Sequence, residues 1–153
     1  MITAWRITKQ RYADQAFSGE GAELVGGRWN TPGTRLVYTA SSISMAILEV
    51  LVHLQRTSTL SAYVVIPAVF PQDLVDELVI TDLPEGWDAY PSPALTQQIG
   101  DEWVQSQRSL ILAVPSVVVP LERNYLINPG HPDADQIEKG DPMPLPLDPR
   151  LRP

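Results

Sequence analysis

Residues 35–51 read RLVYTASSISMAILEVL and decide the fold, because the hydrophobic pattern changes there from that of a strand to that of a helix. Residues 35–40 alternate in the way that places successive side chains on opposite faces of a sheet. The remainder is apolar almost all round, which predicts a buried helix. Ser41 or Ser42 can cap this helix, and its apolar pattern continues to Leu54.

A second helix is predicted from Ser92, with Pro93 in its first turn, where proline fits. Every fourth residue along this segment is apolar. The spacing predicts a buried stripe formed by Leu95, Ile99 and Trp103.

Two local features separate the predicted elements. Pro67 should end the strand that begins at Ser61, because proline cannot donate a backbone hydrogen bond. Residues 18–32 contain four glycines and are predicted to form a loop whose backbone can approach a ligand closely. Besides residues 35–40, strands are predicted at 2–7, 61–66, 110–114, 117–119 and 124–127.

The size and composition of the chain indicate one domain. It has 153 residues, and 44% of them are hydrophobic, which is enough for one core. Fifteen prolines punctuate short apolar runs, a pattern typical of short strands and defined loops. We expect a single compact α+β domain over residues 1–153, with a small, mostly antiparallel split sheet and few helices. Residues 140–153 are rich in proline and should form an extended closing segment.

The charge and the scarcity of some residue types argue against several classes of function. A formal net charge of −7 repels phosphate backbones, so the chain should not bind DNA unaided. No run of about 18 apolar residues is present and the N-terminus lacks a secretory signal, so we expect a cytoplasmic protein without a membrane span. The chain has no cysteine, and its two histidines, His53 and His131, are isolated. Neither a disulfide framework nor a metal site is therefore expected.

Glu49 lies in the middle of the apolar helix that follows the strand at 35–40. Burying a carboxylate is costly unless it is paired or used, so one interpretation is an active-site carboxylate held on a rigid helix. The other is that Glu49 marks the one solvated stripe of the helix, together with His53 and Arg56. The pattern alone leaves both open.

Two arginines and a tyrosine are further candidates for a binding site. Arg6 lies in the apolar strand at 2–7, and Arg28 follows two glycines. An arginine in such a loop can fork onto a phosphate while a neighbouring ring, here Trp29, stacks on a base. A surface ion pair is the alternative for each arginine. Tyr38 could orient a ribose, although a tyrosine within a strand is more often part of the core.

Ser116 follows a proline at a predicted strand end. A serine nucleophile needs an activating base, and no G-x-S-x-G pattern surrounds this one, so a turn-forming hydroxyl is the simpler interpretation. Neither a G-x-G-x-x-G motif nor a P-loop is present, so a dinucleotide-binding βαβ unit and an NTPase are not supported.

Taken in order, these motifs resemble the RES domain, a family named for an arginine, a glutamate and a serine. The family is found in the toxins of RES–Xre toxin–antitoxin pairs, and the resemblance covers roughly residues 2–133. The motifs that carry it are Trp5-Arg6, Gly27-Arg28-Trp29-Asn30, Leu36-Val37-Tyr38-Thr39-Ala40, Leu48-Glu49, Leu83-Pro84-Glu85-Gly86-Trp87, Gly100-Asp101-Glu102-Trp103, Val114-Pro115-Ser116 and Asn124-Tyr125-Leu126-Ile127-Asn128-Pro129.

The resemblance implies a core similar to that of ADP-ribosyltransferases. It also implies a toxin that depletes NAD⁺ by cleaving the nicotinamide–ribose bond, through hydrolysis or phosphorolysis. By position, Glu49, Tyr38 and Arg6 correspond to catalytic residues. Arg6, Arg28, Tyr38 and Ser116 correspond to substrate-binding residues. No metal or bound cofactor is implied, since NAD⁺ is the substrate and phosphate is a candidate co-substrate.

The same resemblance implies a protein partner, an Xre-type antitoxin with a helix-turn-helix part, through which alone the complex would contact DNA. It also allows a homo-oligomer within that complex. Two other functions stay open: ADP-ribosylation of a protein target, and a non-catalytic module that binds a nucleotide.

Overall fold

The computed structural model describes residues 1–54, 63–146 and 148–151. Within these residues, eight strands are hydrogen-bonded into one sheet in the order β4-β5-β6-β2-β1-β3-β7, and β8 also pairs with β3. The β4–β5 pair is parallel and the other pairs are antiparallel. The strands are β1 Ile2–Lys9, β2 Val37–Ala40, β3 Tyr63–Phe70, β4 Val75–Glu77, β5 Ile111–Pro115, β6 Arg123–Ile127, β7 Glu138–Lys139 and β8 Met143–Pro144.

This architecture confirms the predicted fold class, a single compact α+β domain with a mostly antiparallel sheet. The hydrogen bonding is continuous from β4 to β7, where the sequence favoured a split sheet. Three α-helices lie in the described part of the chain: α1 Glu20–Val25, α2 Ile43–Leu51 and α3 Ala94–Ser106. No helix formed by the described residues combines the length and apolar character needed to cross a membrane.

The helix α2 begins where the sequence predicts it. The side chain of Ser42 accepts a hydrogen bond from the backbone N–H of Met45 at 3.0 Å, and this cap satisfies one of the free donors of the first turn. Met45 and Ala46 are buried against β1, β2 and β3. The helix ends at Leu51, three residues before the predicted end at Leu54.

The core is built from alternate residues of the strands. On one face of the sheet, Trp29, Trp87 and Trp103 form a tryptophan cluster with Leu112 and Leu126. The next residues along the same strands belong to a different cluster, which contains Val37, Phe70, Ile111 and Ile127. Fully burying a side chain of this size stabilises the fold by about 1.5–3 kcal/mol.

The prediction that Pro67 ends a strand is wrong, since β3 runs through it to Phe70. The Pro67 carbonyl oxygen accepts a hydrogen bond from Gly140 N, so its backbone polar side faces the outer edge of β3 and no bond to β1 is lost. The predicted strand start at Ser61 lies outside the described residues, as does Arg56.

The segments predicted for α3 and for residues 117–119 also need correction. Leu95 is 53% exposed, and the residues that α3 buries are Thr96, Gly100 and Trp103. Residues 117–119 do not form a strand, because the N–H groups of Val118 and Val119 donate to a side chain instead of a neighbouring strand. The glycine-rich segment is not entirely loop, since it contains α1.

Candidate active site

A cleft of about 970 Å³ opens between β1, β2, α2 and the glycine-rich segment. Its volume lies at the upper end of the range that small-molecule sites span. Four of the five predicted site residues line it: Arg6, Arg28, Tyr38 and Glu49. The fifth, Ser116, lies directly behind Glu49. The fold therefore brings together side chains that are up to 110 positions apart in the sequence.

Glu49 is held by two hydrogen bonds to one of its oxygens. The Ser116 hydroxyl donates to Oε1 at 2.7 Å, and the Asn124 amide donates to the same oxygen at 2.8 Å. Glu49 is half-buried, whereas Leu48 in α2 and Val52 and His53 just beyond its end are exposed. The two hydrogen bonds agree with a carboxylate held in place at the cleft; of the alternative solvated stripe, His53 is exposed and Arg56 lies outside the described residues.

Ser116 is fully buried and does not line the cleft. Its oxygen accepts hydrogen bonds from Val118 N and Val119 N, both at 3.1 Å, while its proton goes to Glu49. The turn after β5 thus fixes the direction in which the hydroxyl donates. Contact of Ser116 with a substrate stays a prediction, because in this structure it acts on the site through Glu49.

Arg6 is a half-buried cation whose hydrogen bonds go to backbone carbonyls. Its Nε donates to Ala16 O at 3.1 Å and its Nη1 to Tyr38 O at 3.3 Å. Desolvation lowers the pKa of the Arg6 guanidinium. No carboxylate of the described residues forms an ion pair with it. A partly desolvated cation in a cleft without a counter-ion favours the binding of an anionic ligand.

Arg28 extends from the glycine-rich segment to the loop that precedes α3. Its Nη1 donates to Trp87 O at 2.9 Å and to Ala89 O at 2.8 Å. Desolvation lowers the pKa of Arg28, and the nearby Glu49 and Asp88 act in the opposite direction. Arg28 therefore supplies positive charge to the cleft that contains Glu49 and also fastens a loop at its border.

Tyr38 is tied into the glycine-rich segment by its hydroxyl. The group donates to Asn30 Oδ1 at 2.6 Å and accepts from Trp29 N at 3.0 Å. A Cβ at Gly27 would lie 2.6 Å from this hydroxyl oxygen, so any larger residue there would displace the hydroxyl from its hydrogen bonds. Burial raises the pKa of the Tyr38 phenol. The phenol therefore stays protonated at neutral pH, and its two hydrogen bonds orient the loop.

The prediction that the ring of Trp29 stacks on a base is wrong. Trp29 is only 3% exposed, because it packs in the tryptophan cluster with its ring centroid 6.5 Å from that of Trp87. Tyr90, which also lines the cleft, is 86% exposed and is the better placed aromatic side chain.

The helix α3 anchors the glycine-rich segment from behind. Asp101 accepts hydrogen bonds from Thr31 N at 3.0 Å and from the Thr31 hydroxyl at 2.6 Å. A Cβ at Gly100 would overlap the Trp29 carbonyl oxygen, so the helix backbone and the loop touch directly. Arg28 is consequently presented by a loop that is fixed on the side away from the cleft.

Sequence reasoning missed the roles of Asn30 and Asn124. Both lie in motifs that carry the family resemblance. The residues next to an asparagine do not show whether it belongs to a loop or to a functional site. Among residues 1–54, 63–146 and 148–151, no three His, Asp or Glu side chains are grouped as metal ligands would be.

Comparison with known proteins gives a consistent result. The sequence profile of the RES domain matches residues 3–148, which includes most of the proline-rich segment. A protein of Yersinia enterocolitica named Toxin Res is 42% identical over 149 residues, covering 97% of this chain and 98% of that one. A protein of Sphingobium sp. strain YBL2 named Prs ADP-ribosylating toxin is 43% identical over 152 residues, covering 96% and 94%.

A solved structure has the same fold. The crystal structure of the MbcT–MbcA toxin–antitoxin complex of M. tuberculosis contains a chain that matches with a TM-score of 0.71 and 22% identity. The match covers 94% of this chain and 84% of that one.

Proposed function

The chain belongs to the RES-domain family of toxins, and from this we propose that it cleaves the nicotinamide–ribose bond of NAD⁺ in the cytoplasm. NAD⁺ is then the substrate, and the nucleophile is water or phosphate. The observation that carries the proposal is the placement of Glu49, Arg6 and Arg28 around one cleft, with Glu49 Oε1 held by two donors.

The charges of these residues suit the reaction. The bond between the ribose carbon and the nicotinamide nitrogen breaks with its electron pair going to nicotinamide, whose positive charge is thereby neutralised. The ribose carbon becomes positive, as in glycoside hydrolysis, and a nearby carboxylate stabilises it. Water that attacks this carbon loses one proton, so the products are ADP-ribose, nicotinamide and a proton. The arginines provide the counter-charge for the pyrophosphate.

The test is NAD⁺ consumption by the purified protein and by a Glu49→Gln variant, which keeps the shape of the side chain and removes its charge. We expect turnover to fall by about 10²-fold or more with unchanged circular dichroism. The exposed Glu122 provides a matched control, and Glu122→Gln should keep full activity. Near-normal consumption by Glu49→Gln would exclude the proposed role. A wild-type protein that consumes no NAD⁺ would instead favour a non-catalytic module that binds a nucleotide.

Product analysis with and without phosphate separates the two nucleophiles. Hydrolysis gives ADP-ribose in both samples, whereas phosphorolysis gives a phosphorylated ADP-ribose only where phosphate is present.

A second candidate is ADP-ribosylation of a protein, because the relative from Sphingobium is named an ADP-ribosylating toxin. In that case a side chain of the target replaces water as the nucleophile. Intact-mass analysis of candidate proteins after incubation with NAD⁺ distinguishes the two. A mass increase of one ADP-ribose unit supports transfer, and free ADP-ribose with unchanged proteins supports hydrolysis.

We propose an Xre-type antitoxin as the partner. The matched solved structure is a toxin–antitoxin complex, and an enzyme that drains NAD⁺ would harm its own cell unless it were inhibited. The border of the cleft is apolar and exposed at Val25, Val52 and Tyr90, which suits a covering protein segment. With its net charge of −7, this chain would reach DNA only through the antitoxin.

Occlusion of the cleft is tested by co-purifying the pair and measuring NAD⁺ loss before and after the antitoxin is stripped. Activity should appear only after stripping. Equal activity in both samples would exclude occlusion while leaving the enzymatic proposal intact. Light scattering of the intact complex then shows whether it contains more than one copy of this chain.

A further inference from the structure

Asn124 reaches the site because three strands are paired around it. On β6 it lies opposite Ala40 at the end of β2 and opposite Val114 near the end of β5. The chain continues from Ala40 into α2, which carries Glu49, and from Val114 into the turn of Ser116. The register of the sheet thus places one asparagine between the two segments that form the carboxylate site.

The contact between Asn124 and Glu49 has a defined direction. Only the amide NH₂ can donate to a carboxylate, so the 2.8 Å distance from Nδ2 to Glu49 Oε1 fixes which way the amide points. The Ser116 hydroxyl donates to the same oxygen. Two donors on one oxygen determine the rotation of the carboxylate, and they leave Oε2 as the oxygen on the opposite side.

This orientation leaves a polar atom of Asn124 unsatisfied. Its Oδ1 is buried and accepts no hydrogen bond from the described residues. A buried acceptor without a partner destabilises a fold, so the stability of the protein does not explain an asparagine here. Asn128, just beyond the other end of β6, is the contrasting case. Its amide donates to Val104 O at 3.2 Å and its Oδ1 accepts from Gly130 N at 3.0 Å.

We propose that Asn124 is a positioning residue, which together with Ser116 fixes Glu49 Oε1 so that Oε2 is presented to the substrate. The proposal rests on the proposed function for the identity of the reaction, but the arrangement of the three side chains does not depend on it. Asn124 acts through Glu49, and its loss should therefore lower the rate of the chemical step more than the binding of substrate.

The experiment compares Asn124→Ala, Asn124→Leu and the matched control Asn128→Ala in three assays: Tm, the kcat and KM of NAD⁺ cleavage, and growth arrest on expression. We expect both Asn124 variants to lose kcat by on the order of 10²-fold, with KM little changed. Asn124→Leu should melt at the same temperature as the wild type or higher, because it removes the unsatisfied oxygen. Asn128→Ala should melt lower and keep its kcat.

The outcomes separate this proposal from the proposed function. A lower Tm for Asn124→Leu with unchanged kcat would make Asn124 a structural residue and overturn the proposal. Growth arrest is scored because it reports the chemistry of the site whatever the substrate is. A toxic wild type that spares NAD⁺ would refute the proposed substrate. Loss of toxicity in the Asn124 variants but not in Asn128→Ala would still support the positioning role.

Discussion

The tryptophan cluster behind the glycine-rich segment and the cleft in front of it differ in how completely their polar groups are hydrogen-bonded. In the cluster, Trp103 Nε1 donates to Ser109 Oγ at 2.8 Å, and that hydroxyl donates to Ile111 O at 3.1 Å. In the cleft, among the described residues, the half-buried Arg6 has no carboxylate partner and the buried Asn124 Oδ1 has no donor. The polar groups of the tryptophan cluster are hydrogen-bonded without a ligand, whereas the cleft contains a positive charge that an anionic ligand would balance. Substitutions in the first region should therefore change stability, and substitutions in the second should change activity.

The largest effect on stability is expected from Gly100→Ala. The added Cβ would overlap the Trp29 carbonyl oxygen, so α3 and the glycine-rich segment would have to separate. Overpacking of this kind costs about 1–3 kcal/mol and occasionally more. Thermal unfolding measures it, with Gly21→Ala as control, because the Cβ at Gly21 meets nothing within 4 Å. Equal melting temperatures for the two variants would show that the contact between helix and loop is not tight.

Arg6→Lys should lower kcat/KM for NAD⁺ by about 10–100-fold, because lysine cannot reproduce the two-pronged contact of a guanidinium with a phosphate. Arg108→Lys is the control, since Arg108 forms an exposed ion pair with Asp76 and neither residue lines the cleft. Activity is expressed per folded molecule, because Arg6 also bonds to two backbone carbonyls. An Arg6→Lys variant that melts lower with unchanged activity would make this arginine structural.

Arg28→Lys is expected to have a smaller effect on kcat/KM, on the order of 10-fold. Part of the Arg28 guanidinium already bonds to Trp87 O and Ala89 O, so less of it faces a ligand. The loop that these carbonyls belong to should become more accessible, which limited proteolysis measures. If both the rate of limited proteolysis and kcat/KM were unchanged, Arg28 would contribute neither to the loop nor to substrate binding.

Tyr38→Phe should destabilise the protein by about 1–3 kcal/mol, because Asn30 Oδ1 and Trp29 N lose their shared partner. Tyr38 lies where the glycine-rich segment meets the cleft, so both Tm and activity should fall.

The pH dependence of Tm gives a second test of Tyr38. Burial raises the pKa of the Tyr38 phenol above its ordinary value of about 10. Its contribution to stability is therefore complete below about pH 10 and is lost as the pH rises further. The Tm of the wild type should fall more steeply above pH 10 than that of Tyr38→Phe, and parallel curves would contradict the burial of this phenol.

The parts of the fold that depend on adjacent residues could be predicted from the sequence. The change of pattern at residues 35–51 predicts β2, the Ser42 cap and α2. The expected burial of α2 is wrong, because the helix buries only Met45 and Ala46 and exposes Ser44 and Leu48. Arg6, Arg28 and Tyr38 could be selected because the family motifs are short and contiguous. The structure brings these side chains to one cleft, and their roles in catalysis and binding stay predictions.

The wrong predictions concern residues whose surroundings are determined by residues distant in the sequence. Trp29 was expected to face a ligand, but Trp87, which lies 58 positions away, covers it. Of the stripe predicted for α3, Trp103 is buried and Ile99 packs against the tryptophan cluster. Leu95 is exposed, because the helix approaches Trp29 through Gly100 instead. Asn124 had no detectable signal, since its role depends on the register of three strands.

The outer edge of β3 has a consequence for the behaviour of the whole molecule. This strand is eight residues long and mostly apolar, and within the described part of the chain it is covered on that side by the short strands β7 and β8. An uncovered strand of this kind recruits strands of other molecules. The proline-rich segment that supplies β8 cannot extend the sheet any further, because its prolines lack the N–H groups that a next strand would need. We therefore expect that removing this segment would promote aggregation of the protein on storage before it lowered any activity of the cleft.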